Sequence, residues 1–150
     1  MTLVVSICVL FYVGFMVFMI SGLFKHNELE IKSSETLPNV SVVVAARNEE
    51  GHIPYLINDL ISQEYPLDKL EVIIVNDRSI DDTKAILDDA SDNYAFIKVI
   101  TIDQVSEDMT PKKNALTRGI EAAVGEIIVL TDADCRVGKL WVSSMAYSVM

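Results

Sequence analysis

Two hydrophobic patterns divide this chain: one unbroken apolar block at the N-terminus, then short apolar runs alternating with stretches of helical spacing. The block, residues 1–24, reads MTLVVSICVLFYVGFMVFMISGLF and contains no Asp, Glu, Lys, Arg or His. A helix of that length reaches about 35 Å, enough to cross a hydrocarbon core of about 30 Å. It has neither the basic leader nor a clear small-x-small cleavage site of a signal peptide, so a transmembrane helix is expected.

Beyond the block, four β-branched runs predict strands: Val40–Ala46, Leu70–Val75, Phe96–Ile102 and Glu126–Thr131. They are continuous rather than alternating, as parallel strands covered on both faces would be. Between them, Ile53, Leu56, Ile57, Leu60 and Ile61 follow helical spacing. Ala85, Ile86, Leu87 and Ala90 mark a second helix, and Ala115, Leu116, Ile120, Ala123 and Val124 a third, with Gly125 placed to cap it. Lys139–Met150 begins a fourth helical pattern. The order is βαβαβαβ, which predicts a parallel sheet with helices on both faces.

Such sheets bind ligands outside the carboxyl ends of their strands. Polar clusters stand there: RNEE (Arg47–Glu50), NDRS (Asn76–Ser79) and DADC (Asp132–Cys135). These three loops are expected to converge on one site.

Charge and composition narrow the classes. The 150 residues carry a formal net charge of -10, which disfavours a nucleic-acid polymer as partner. Lys25 and Lys32 lie just after the apolar block, placing the rest of the chain in the cytoplasm by the positive-inside rule. Cys8 and Cys135 are too differently placed to form a disulfide framework. Removing the block and a polar linker, 25–37, leaves one small domain over 38–150. There is no G-x-G-x-x-G and no G-x-x-x-x-G-K-[ST], against a dinucleotide-dependent dehydrogenase or a P-loop NTPase.

Each cluster has two readings. Asp132 and Asp134 could hold Mg²⁺ or Mn²⁺ with substrate phosphates, or form a solvated turn that caps the next helix. Asp77 could bind a base or ribose, or form an Asx-turn. Arg47, Asn48 and Glu49 precede a helix expected near Gly51, where an anion would be favoured, though Glu49 and Glu50 could be plain first-turn acids. Lys112 and Lys113 could neutralise phosphate or be a solvated helix end. Ser79 and Asp82 have capping-box spacing, so Asp81 and Asp82 are assigned mainly to structure. His52 is assigned no function.

Together, VSVVVAARNEE (40–50), EVIIVNDRSIDDT (71–83), PKKNALTRGI (111–120) and GEIIVLTDADC (125–135) resemble the N-terminal half of a family 2 glycosyltransferase with the GT-A fold. The resemblance implies a Rossmann-like nucleotide-binding half of a GT-A domain, behind a membrane anchor. It implies donor nucleotide binding by Ala46, Arg47, Glu49, Asp77, Lys112 and Asp132, and metal binding by Asp134 with Asp132. Pro111 and Thr117 depart from the family's glycine and asparagine in the element around Lys112.

The implied chemistry is inverting transfer of a sugar from a nucleoside diphosphate donor, a UDP-sugar being expected, to a glycan or lipid-linked acceptor, with Mg²⁺ or Mn²⁺. The family's general base, downstream of the D-x-D motif, is absent from these residues. A fragment of a longer membrane enzyme is therefore expected. A non-catalytic, membrane-anchored nucleotide-sugar-binding module is the alternative, and a phosphoacceptor receiver domain a weaker one.

Overall fold

The computed structural model describes residues 2–23, 37–106 and 108–149, with side chains of the first helix described over 6–21. Two compact units result, 1–31 and 32–150. The first contributes helix α1, Thr2–Leu23, which has 22 residues. Its described side chains, over 6–21, are exposed. Among the described residues no helix is long and apolar enough to cross a membrane, so the expected transmembrane segment finds its helix here but not its span. The polar linker expected over 25–37, with Lys25 and Lys32, lies outside the described residues apart from Leu37.

In the second unit the predicted alternation is observed: β1 (Val40–Ala46), α2 (Ile53–Ile61), β2 (Leu70–Asp77), α3 (Thr83–Asn93), β3 (Ile97–Ile102), α4 (Pro111–Ala122), β4 (Ile127–Asp132) and α5 (Trp141–Val149). All pairings are parallel, in the order β3-β2-β1-β4. The chain thus adds strands on one side of β1 and then returns to its other side. Where that direction reverses, between β1 and β4, the loops leave in opposite directions and open a crevice for a ligand. The register brings the strand ends level, with Ala46 beside Asn76 and Ala45 beside Asp132.

Side-chain alternation along the strands splits the core in two. Val40, Val42, Val44 and Ala46 pack with Ile53, Leu56 and Leu60 of α2, Leu87 of α3 and Val142 of α5. Val43, Ile73 and Val75 face Ala115 of α4. Gly119 lets α4 approach the sheet closely: a Cβ there would stand 2.3 Å from Cγ1 of Val43.

Coverage on both faces, expected for every strand, holds only for β1 and β2. On the edge strand β4, Ile128 is 41% and Leu130 48% exposed. Gly125 also differs from expectation. Helix α4 ends at Ala122, and Gly125 does not have a positive φ. It passes so near Ser41 that a Cβ would lie 2.5 Å from the Ser41 amide nitrogen. Close approach, not capping, requires glycine there.

At this lower end of the sheet Glu71 is enclosed. Burial alone would raise its pKa, but hydrogen bonds from Lys98, Ser41 and the Val124 N–H hold it below the ordinary carboxylate value.

Candidate functional site

Strand β2 runs two residues further than predicted, so Asn76 and Asp77 end the strand rather than open a turn. Asp77 is 3% exposed. The next residue, Arg78, holds a left-handed conformation (φ 55°) and turns back on it. Its Nε donates to Asp77 Oδ1 at 2.8 Å and its Nη2 to Oδ2 at 3.2 Å. Arg47 Nη1 lies 3.9 Å from Oδ2. The Asp77 hydrogen bonds, foremost, raise the Arg78 pKa above its ordinary value. The Asx-turn reading of Asp77 is thereby replaced by a buried carboxylate between two guanidiniums.

The loops after β1 and β2 are stitched to each other. The Asn48 N–H donates to Ser79 Oγ at 3.0 Å, and the Ile80 N–H donates to Asn48 Oδ1 at 2.9 Å. The Glu49 N–H donates to Thr83 Oγ1 at 2.7 Å, and the Glu50 N–H to Asp81 Oδ2 at 3.2 Å. The Asp82 N–H in turn donates to Glu50 Oε2 at 3.0 Å. Asn48 makes this possible by taking a left-handed φ of 56°, which asparagine tolerates better than most residues.

Two expectations change as a result. Ser79 and Asp82 form no capping box: Ser79 serves the Asn48 amide, and Asp82 makes no side-chain cap bond. Nor are the amides of 48–50 open for an anion, because side chains of the second loop already take them. Helix α2 begins at Ile53, with the Glu49 carbonyl receiving the N–H groups of His52 and Ile53. Asp81 does prove structural. Burial acts to raise its pKa, but hydrogen bonds from Thr83 and the Glu50 amide bring it below the ordinary value.

Across the crevice, Asp132 ends β4 and Lys112 opens α4, with Nζ 2.7 Å from Asp132 Oδ1. That hydrogen bond, then the charges of Asp132 and Asp134, raise the Lys112 pKa above the ordinary lysine value. Ala133 is buried, and Asp134 is exposed with no ion pair among the described residues. One cleft of about 270 Å³ is lined by Ala46, Arg47, Glu49, Asp77, Lys112, Asp132 and Asp134, together with Ala45, Pro111, Ala115 and Ala133. Every residue assigned to the donor or the metal is in that lining. Lys113 is not, and Thr117 lines a different recess beside β3. Of the two departures around Lys112, therefore, only Pro111 touches the cleft.

Residues 41–149 match the model of Glycosyl transferase family 2. The chain belongs to that family. It is 34% identical over 119 residues to the probable glycosyltransferase YdaM of Bacillus subtilis (strain 168), covering 79% of this chain and 28% of that protein. Among solved structures, residues 1–349 of S. aureus TarS in complex with UDP-GlcNAc superpose with a TM-score of 0.59 at 29% identity, covering 71% of this chain and 29% of that one. The mannosyltransferase PcManGT of Pyrobaculum calidifontis, in complex with GDP-Man and Mn²⁺, gives a TM-score of 0.61 at 26% identity, covering 79% of this chain and 34% of that one. This chain thus spans about a third or less of each of these relatives.

Sequence reasoning assigned no role in the site to Arg78 or Thr83, and gave Asn48 only a place beside an anion, not its pairing with the second loop. Arg78 stood inside the NDRS cluster already singled out, and a cation next to a strand-end Asp was the available signal. Asn48 and Thr83 gave none, because their partners lie more than thirty positions away.

Proposed function

We propose that this chain supplies the donor site of a metal-dependent, inverting glycosyltransferase that uses a nucleoside diphosphate sugar, UDP-sugars being the first candidates. The observation that carries this reading is the convergence of Arg47, Glu49, Asp77, Lys112, Asp132 and Asp134 on one cleft at the reversal point of the sheet. Buried Asp77 is suited to accept hydrogen bonds from the base or ribose, its orientation held by Arg78. Arg47 and Lys112 supply positive charge at the cleft wall for the diphosphate.

The donor set in the cleft fits a hard divalent ion. Asp132 and Asp134 offer carboxylate oxygens, and among the described residues no third His, Cys, Asp or Glu joins them to complete a protein cage. Mg²⁺ is bound in this manner, by one or two carboxylates with phosphate oxygens making up the shell. Asp134 would be the principal ligand and Asp132 the second. When bound, the ion offsets negative charge on the departing diphosphate. Lys112, already paired with Asp132, adds to that charge balance from the wall of α4.

The acceptor in this reading is a glycan or a lipid-linked saccharide, and α1 anchors the chain in a membrane with the cleft on the cytoplasmic side. The absence of Asp, Glu, Lys, Arg and His from residues 1–24 supports the anchor. Lys25 and Lys32 support the orientation.

Equilibrium dialysis of the full chain against radiolabelled UDP-glucose and UDP-GlcNAc in Mn²⁺ tests the reading. Retained label that unlabelled UDP displaces is the expected result, and no retention with either donor counts against it. A transfer assay on the same sample separates an enzyme from a binding module.

A further inference from the structure

Between the buried Ala133 and the side-chain anchor at Arg136 stand Asp134 and Cys135, whose N–H closes a turn onto the Asp132 carbonyl at 3.2 Å. The anchor on the far side comes from helix α2. The Arg136 guanidinium grips Asp59 with two parallel bonds, Nε to Oδ2 at 2.6 Å and Nη2 to Oδ1 at 2.9 Å. The Val137 N–H donates to the same Oδ2 at 3.1 Å. Arg136 also lies over the ring of Tyr55, 5.3 Å from its centroid. Further along, Gln63 donates to the Gly138 carbonyl at 2.8 Å and accepts from the Val142 N–H at 2.9 Å. Ser143 Oγ donates to the Glu64 carbonyl at 2.6 Å.

None of these groups lines the cleft. Yet they hold the C-terminal flank of Asp134, a cleft carboxylate with no ion pair among the described residues, while burial of Ala133 holds the other. A forked arginine–carboxylate pair fixes direction as well as distance, which a lysine would not. Asp59 sits on α2, the helix that comes after the Arg47–Glu50 loop, so the contact ties that helix to the segment following Asp134.

We infer that Asp59 and Arg136 are positioning residues for Asp134, holding its carboxylate where it completes a divalent-ion site with the donor's phosphates. The inference rests on the donor-site reading above. Outer-shell partners of metal ligands typically alter metal affinity by about 10–100-fold when removed.

The test is calorimetric titration of the full chain with UDP in Mn²⁺, with UDP in EDTA, and with uridine. Asp59→Asn is expected to weaken UDP binding in Mn²⁺ by about tenfold and to leave the EDTA and uridine titrations unmoved. Arg136→Lys, which keeps the charge but loses the fork, is expected to give the same pattern and stands in should Asp59→Asn fail to fold. In an Asp134→Ala background, Asp59→Asn should add no further loss. Folded variants that bind UDP in Mn²⁺ as the wild type does would overturn the inference, as would an equal loss for UDP and uridine. A wild type without Mn²⁺-dependent binding is a different failure, since it removes the donor-site reading and the inference with it.

Discussion

Asp77 and Asp134 are carboxylates at the same edge of one sheet, but their surroundings are opposite. Asp77 ends an interior strand, is 3% exposed and is gripped by Arg78 with Arg47 nearby. Asp134 comes just after an edge strand, is exposed, and forms no ion pair of its own among the described residues, though its charge acts on Lys112. The first is complete before any ligand arrives. The second is held in place, through Asp59 and Arg136, but left without a direct ion pair among the described residues. This contrast suits a donor with a nucleoside at one end, read by preset hydrogen bonds, and a diphosphate at the other, which brings its own counter-ion.

Removing Asp77 should break the contrast most severely. Asp77→Ala takes away the buried partner of Arg78, and an interaction of that kind is worth about 1–3 kcal/mol. Urea unfolding should show that loss, with uridine and UDP binding both abolished in the folded protein. Asp134→Ala should separate the two ends instead. Stability is expected to stay within about 0.5 kcal/mol, as for ordinary surface substitutions, while UDP affinity in Mn²⁺ falls and uridine affinity does not. Lys112→Ala should have a smaller effect, a several-fold loss of UDP affinity that shrinks as salt is raised, because its pair with Asp132 is exposed and screened.

The smallest expected effect is on acid stability. The Arg136 hydrogen bond foremost, helped by the Val137 amide and opposed by burial, holds the Asp59 pKa below its ordinary value of 3.8. A carboxylate with a depressed folded pKa adds stability above its unfolded pKa and loses it as pH falls through the folded one. Thermal melts of the wild type should therefore lose stability below about pH 3.8 more steeply than those of Asp59→Asn.

Much of this was legible in the sequence for a simple reason. Strand runs and helical spacing are local, so the βαβ alternation could be read, and a parallel sheet gathers the loops at its strands' carboxyl ends along one edge. Arg47, Asp77, Asp132 and Asp134 were found in that way and share a cleft with Lys112, which the family resemblance had added. Pairings at long range escaped. Asn48 meets Ser79 31 positions away, and Asp59 meets Arg136 77 positions away. No periodicity reports such contacts. The capping box at Ser79 and the cap at Gly125 failed for the same reason, since a distant backbone took each residue before the local motif could use it. The edge strand β4 was misjudged as covered because an apolar run looks the same whether or not a helix lies across it.

The central claim is that one end of the cleft reads the nucleoside and the other reads the diphosphate through a metal ion. Calorimetry of the wild-type chain with uridine and with UDP, each in Mn²⁺ and in EDTA, tests it most directly. EDTA is predicted to lower UDP affinity to near that of uridine and to leave uridine binding unchanged. UDP binding that is indifferent to EDTA, or absent in Mn²⁺, would contradict the claim.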